Sequence, residues 1–200
     1  MSNTVIAAFK KRRTQYALEK ALPISNDAVT ELVYEAVEAS PSAFNSQSSR
    51  VMILFGDASV KVWEFTKDAL RPMLPAGAFD EAAGKLDSFA AGAGTILFFE
   101  DQDVIAGLQE SFALYADNFP VWSEQSAGMA QVAVWTALAE AGIGASLQHY
   151  NPLPDAAIQK EWGVPASWKL RAQMPFGSNA GVFGEKAVMP REARFRRIGD

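Results

Sequence analysis

Apolar and polar positions along this chain divide it into alternating helical and extended segments. From Asp27 the residues Leu32, Val33, Ala36 and Val37 recur on one face at helical spacing, after Ser25 and Asn26, whose side-chain oxygens can cap a first turn. Pro41 lacks an N–H and disfavours helix at Ser40, so this helix is predicted over 27–39. Val51–Phe55 and Thr95–Phe99 are continuous apolar runs with β-branched members, the pattern of strands buried on both faces. Helices are predicted for Ala58–Leu70, Phe79–Ala91 and Val104–Tyr115, with Arg71–Gly77 as a break. Ser123–Ala141 is the longest helical stretch and carries no charge between Glu124 and Glu140. Its Met129, Val132, Val134, Trp135 and Leu138 stand among alanines and glycines, so it has little surface to give to water and suits close helix contact, in the core or at a subunit interface. Gly144–Tyr150 and Trp168–Met174 read as strands, and Pro154–Trp162 as a short helix stopped by Gly163. At the start, Thr4–Lys11 is helical and Arg12–Tyr16 extended; the tail from Lys186 to Ile198 has no helical pattern. With no repeat and no linker, residues 1–200 form one α+β domain with few strands and many helices.

Composition narrows the chemistry. Apolar residues make up 49% of the chain, enough for a sizeable core. There is no cysteine, which excludes disulfides, thiolate nucleophiles and cysteine-ligated zinc. The single histidine, His149, and the lack of a G-x-S-x-G elbow leave a serine hydrolase without its parts. Neither a P-loop nor a dinucleotide fingerprint is present: Gly84-Lys85 lacks its partner glycine, and Gly142-Ile143-Gly144 follows a helix. The acidic cluster Glu100, Asp101 and Asp103 has no histidine beside it and reads as a helix cap, with no metal site expected. A net charge of −5 argues against nucleic acid as a partner. The N-terminus has no secretory pattern and no stretch suits a membrane span, so a cytoplasmic protein is expected. The basic residues are nevertheless concentrated at the ends, as Lys10, Lys11, Arg12 and Arg13 and as Lys186, Arg191, Arg194, Arg196 and Arg197. If folding joins the termini, an acidic protein gains one local anion site, suited to a phosphate monoester.

Two short segments carry a resemblance. Pro41-Ser42-Ala43-Phe44-Asn45-Ser46-Gln47 resembles the P-S-x-x-N-x-Q loop of the FMN-dependent nitroreductases, and Arg12-Arg13-Thr14 resembles that family's N-terminal R-x-S/T motif. The Ala-Phe variant of the loop and the run Leu147-Gln148-His149-Tyr150-Asn151 look most like the branch of fatty-acid-repression and copper-induced nitroreductases. The likeness spans about residues 6–195.

The resemblance implies a small, mostly antiparallel sheet surrounded by helices, a long central helix, and a homodimer with FMN at the subunit interface. It assigns Arg12, Arg13, Thr14 and Lys186 to the flavin phosphate end. Ser42, Ala43, Asn45 and Gln47 would come from the other subunit, and Leu147, Gln148 and His149 would form the strand edge beneath the ring. Tyr16 stands where relatives often carry a cation near the pyrimidine edge, Gln148 where many have Glu, and Val188 where a second phosphate arginine is common; Arg191 or Arg194 can take that place. No side chain is assigned as catalytic, because flavin N5 carries the redox chemistry. Phe44, Phe112, Tyr115 and Trp122 are candidate walls for a flat acceptor. The implied activity is transfer of electrons from NADH or NADPH to nitroaromatic or quinone-like acceptors by a ping-pong mechanism. The other function left open is a flavin-binding regulatory or stress-response protein whose turnover is incidental.

Overall fold

The structure, a computed structural model, describes residues 3–200. It contains helices α1 (Thr4–Lys11), α2 (Asn26–Glu38), α3 (Asp57–Leu70), α4 (Ala76–Ala90), α5 (Gln102–Ser111), α6 (Phe119–Glu140), α7 (Asp155–Trp162) and the single turn α8 (Arg191–Arg194). The strands are β1 (Ser49–Phe55), β2 (Gly94–Asp101), β3 (Gly144–Ala145) and β4 (Trp168–Gly177). They form one sheet in the order β1-β2-β4-β3, antiparallel at every pairing. This is the α+β architecture expected, a small antiparallel sheet surrounded by helices with one long helix.

The apolar strand runs have the reason assigned to them. Residues of β2 alternate between two cores: Ile96 and Phe98 face Val29, Val33, Val134 and Leu138 of α2 and α6, while Leu97 and Phe99 face Val62, Trp63, Leu86 and Phe89 of α3 and α4. A strand covered on both faces has no position left for a water-facing side chain. α6 lies against the first core through Val134, Trp135 and Leu138.

Beside shifts of about one to three residues at other element ends, and the turn α8 in a tail read without helical pattern, three larger differences from the pattern reading stand out. α6 starts at Phe119, four residues before Ser123, because Pro120 falls in the first turn, where a missing N–H costs nothing. α5 stops at Ser111 and the chain continues as a 3₁₀ segment over Ala113–Asn118, so the stretch predicted as helix to Tyr115 is broken. The strand predicted over 144–150 is two residues of β3 followed by an isolated bridge between Gln148 and Gln173. Pro175 explains the gap: it accepts a hydrogen bond from the Ser146 N–H at 3.2 Å but has no N–H to return.

The N-terminal segment after α1 lies along the sheet edge. Thr14 bridges Ala145 in parallel, and the Gln15 N–H donates to the Ala145 carbonyl at 2.9 Å. Beyond β4 the chain returns beside the same segment: Ser178 N–H donates to Glu19 O (3.0 Å) and Ala180 N–H to Ala17 O (3.1 Å). Gly177 permits this closeness, since a Cβ there would lie 2.3 Å from the Glu19 carbonyl oxygen.

Candidate functional site

The two predicted groups of site residues fold into two patches on opposite stretches of α6. The first is built where the basic N-terminal segment meets the sheet edge. Arg12 caps the C-terminus of α1, and its guanidinium lies 4.2 Å from the centroid of the Trp135 ring. Arg13 donates from Nη2 to the Gly184 carbonyl at 2.7 Å and lies over Phe183. The segment that leads to Lys186 thus meets Arg13 through Gly184 and Phe183; Lys186 itself is exposed. No carboxylate lies within ion-pair distance of Arg12 or Arg13 among the described residues. Partial burial, and next the charge of Arg13, hold the Arg12 pKa below its ordinary value. Two adjacent guanidiniums without an acidic partner form a local positive site on an acidic protein.

Thr14 and Tyr16 flank this patch, both exposed. Tyr16 lies beside Phe89, and Lys85 Nζ approaches its ring at 5.7 Å, so a cation stands near the position where Tyr16 itself supplies none. Leu147 packs at the edge of the first core and His149 is exposed. Gln148 is buried: its amide donates to Ser146 Oγ at 3.0 Å, and its backbone exchanges two hydrogen bonds with Gln173. The side chain of Gln148 thus points into the fold, and its main-chain N–H and carbonyl are both taken by Gln173.

The second patch is the loop at residues 42–47. Phe44, Asn45 and Gln47 all have positive φ, at 56°, 52° and 48°. Such a conformation costs roughly 1–3 kcal/mol for each non-glycine residue, so the surroundings must impose it. The Gln47 N–H donates to Ser42 Oγ (3.0 Å), the Asn45 N–H to Ser42 O (3.0 Å), and the Ala43 N–H to Ser126 Oγ on α6 (3.3 Å). Phe44, although half-exposed, sits among Phe112, Tyr115, Phe119 and Trp122 at ring-centroid separations of 5.0–5.9 Å, stacked nearly parallel on Trp122. All four predicted acceptor walls are therefore brought together, with Phe119 added. A polar cavity of about 310 Å³ opens on one side of the loop between Ser42, Asn45, Gln47 and Arg50. An apolar groove of about 430 Å³ opens on the other, between Phe44, Trp122 and Met129.

Trp135, beneath Arg12, and Trp122, beneath Phe44, are separated by about 20 Å along α6 at the helical rise per residue. Neither cavity at the loop includes a residue of the first patch.

Pattern reading missed what supports these patches. The sequence pattern groups Glu100 with Asp101 and Asp103 as a cap; Asp101 does cap α5 through the Asp103 N–H, but Glu100 is wholly buried and accepts hydrogen bonds from Ser48, Ser49 and Ser123. An acid ending an otherwise apolar strand run was the available signal. Trp135 under Arg12, and Gln15, whose amide holds Gly181 O at 2.9 Å, were also unrecognised.

Comparison with known proteins agrees with this architecture. The nitroreductase family model matches residues 9–178. The chain belongs to the nitroreductase family, a family of oxidoreductases. It is similar to nitroreductase CinD from Lactococcus lactis, solved in complexes with nicotinic acid, chloramphenicol and 4-nitrophenol. In the nicotinic acid complex the identity is 52% and the TM-score 0.90, covering 98% of this chain and 100% of that one. It is also 36% identical to the HBN1 protein of Saccharomyces cerevisiae over 188 residues, 93% of each chain. Both likenesses support the branch read from the 41–47 loop and the 147–151 run. A more distant nitroreductase with bound FMN, from Desulfitobacterium hafniense, shares the fold at 14% identity and a TM-score of 0.73, with full coverage of both chains.

Proposed function

We propose that this protein is an FMN-dependent oxidoreductase that carries electrons from NADH or NADPH to flat nitroaromatic or quinone-like acceptors, working as a homodimer with shared sites. The observation that carries the reading is the Arg12–Arg13 pair, free of carboxylates and set at the sheet edge beside Thr14 and residues 145–149. A phosphate monoester suits two such guanidiniums, and the Lys186 segment is tethered to Arg13 through Gly184. These residues fit the flavin phosphate. Bound FMN would supply the redox chemistry at N5, taking hydride from the nicotinamide and passing two electrons to the acceptor. The chain's own contribution is position and field: Leu147, Gln148 and His149 offer an edge to the ring, and Lys85 beside Tyr16 offers positive potential.

The spacing of the patches supports a shared site. Within one protomer the arginine patch and the Ser42–Gln47 loop stand too far apart along α6 to enclose one ring system. A second copy can bring its own loop across. The surface available for that copy is an apolar groove between α1, α2 and α6, lined by Val5, Phe9, Ala36, Met129, Val132 and Ala133. The complexes of one relative, CinD, with nicotinic acid, chloramphenicol and 4-nitrophenol are in keeping with an aromatic ligand beside the Phe44 cluster.

The test is FMN titration of the full chain followed by NADH and NADPH oxidation with 4-nitrophenol or a quinone. Wild type should bind FMN, and Arg12→Ala should lose at least tenfold in affinity while keeping its circular dichroism spectrum. Binding without turnover would favour the regulatory reading; an Arg12→Ala variant with unchanged affinity would remove the phosphate assignment.

A further inference from the structure

We propose that Glu100 is a positioning residue that holds the loop 42–47 in its ligand-presenting shape, an inference that rests on reading this loop as part of the cofactor site. Glu100 is wholly buried at the end of β2. Its Oε2 accepts from Ser48 Oγ and from Ser123 Oγ, each at 2.6 Å, and its Oε1 accepts from Ser49 Oγ at 2.5 Å. No cation pairs with it among the described residues; the nearby Arg50 is taken by Asp101 at 3.1 Å. A buried acid needs such donors, and here all three come from the two elements that frame the loop: β1 with its lead-in, and α6.

The geometry fits a clamp. In a regular strand successive side chains point to opposite faces. One carboxyl group collecting both Ser48 and Ser49 fixes the corner at which the loop becomes β1. Asp101 secures the same corner from outside: its N–H donates to Ser48 O at 2.9 Å, and its carboxylate holds Arg50, which donates from Nη1 to the Gln47 carbonyl at 2.6 Å. Ser123 joins Glu100 to α6 one turn before Ser126, which receives the Ala43 N–H at the loop's start. Both ends of a segment with three left-handed non-glycine residues are thus pinned to one helix. Without the carboxyl group, Ser48, Ser49 and Ser123 lose their common acceptor and the segment has a path back to ordinary backbone angles.

The experiment compares wild type, Glu100→Gln and Ser123→Ala as full chains. Hydrogen exchange is followed at the bonded Asn45, Ser46 and Gln47 amides of the flavin-free protein, and FMN affinity is measured well below each unfolding midpoint. The variants are expected to fold, to exchange these three amides at least tenfold faster, and to bind FMN at least tenfold more weakly. A lowered thermal midpoint with unchanged exchange and affinity would make Glu100 a core residue only and overturn the proposal. Should Glu100→Gln not fold, Ser49→Ala, which removes one hydroxyl, decides in the same way. If wild type binds no FMN, the flavin reading fails, and loop exchange alone decides whether Glu100 holds the segment.

Discussion

At the scale of single residues, Phe44 joins two unusual conditions: a left-handed backbone and a half-exposed ring among four other aromatic rings. Aromatic pairs contribute about 0.5–1.5 kcal/mol each beyond burial, so the cluster helps to hold a conformation that the backbone resists. Phe44→Leu keeps an apolar side chain but loses the stacking. Steady-state kinetics should show KM for a nitroaromatic acceptor raised several-fold, and FMN affinity should fall with it, because the loop that the stacking holds belongs to the proposed cofactor site. A different balance holds at Asp155, in the first turn of α7, where one carboxylate oxygen is buried without a partner. Desolvation pushes its pKa up, against weaker opposing effects of Arg171 and Lys169. A folded-state acid with a raised pKa favours its protonated form. The associated destabilisation is absent below the ordinary carboxylate range and grows as pH rises through the raised pKa. Asp155→Asn should therefore raise the urea midpoint at pH 7 and do so less at pH 4.

At the scale of elements, what could be read from sequence was whatever follows from local pattern. β1 and β2 were legible because both faces of each strand meet apolar neighbours, so the apolar runs are unbroken. α6 was legible because its apolar character has no polar stripe, although its first turn was lost behind Pro120. The strand after Gly144 was overextended because its ladder fails at Pro175, which lies thirty residues further along, and no local signal announces that pairing. The candidate site was legible to the extent that its motifs are contiguous: Arg12–Thr14 and Pro41–Gln47 were found, and the four aromatic walls do meet. Glu100, Trp135 and Gln15 escaped because their roles exist only across sequence separations that folding closes.

At the scale of the whole molecule, the question is what covers the groove on α1, α2 and α6. Val5 and Phe9 are well exposed there, beside Met129. A contiguous apolar face of this kind marks an interaction surface. Under the homodimer reading, Ala133→Glu, at a residue lining the groove, should leave the secondary structure intact and shift the protein to monomer in sedimentation velocity. Under the shared-site reading it should also weaken FMN binding at least tenfold.

The close approach at Gly177 makes the two ends of the polypeptide a single mechanical unit. Residues 13–19 stay on the sheet edge partly because residues 178–184 clasp them from outside, and that clasp has no room even for a methyl group at its root. Cutting the polypeptide just after β4 would leave both hydrophobic cores whole and still release Arg13 from Gly184 and Phe183. Ligand capture and global foldedness can therefore be severed from one another by changes at the very terminus that contributes least to the interior.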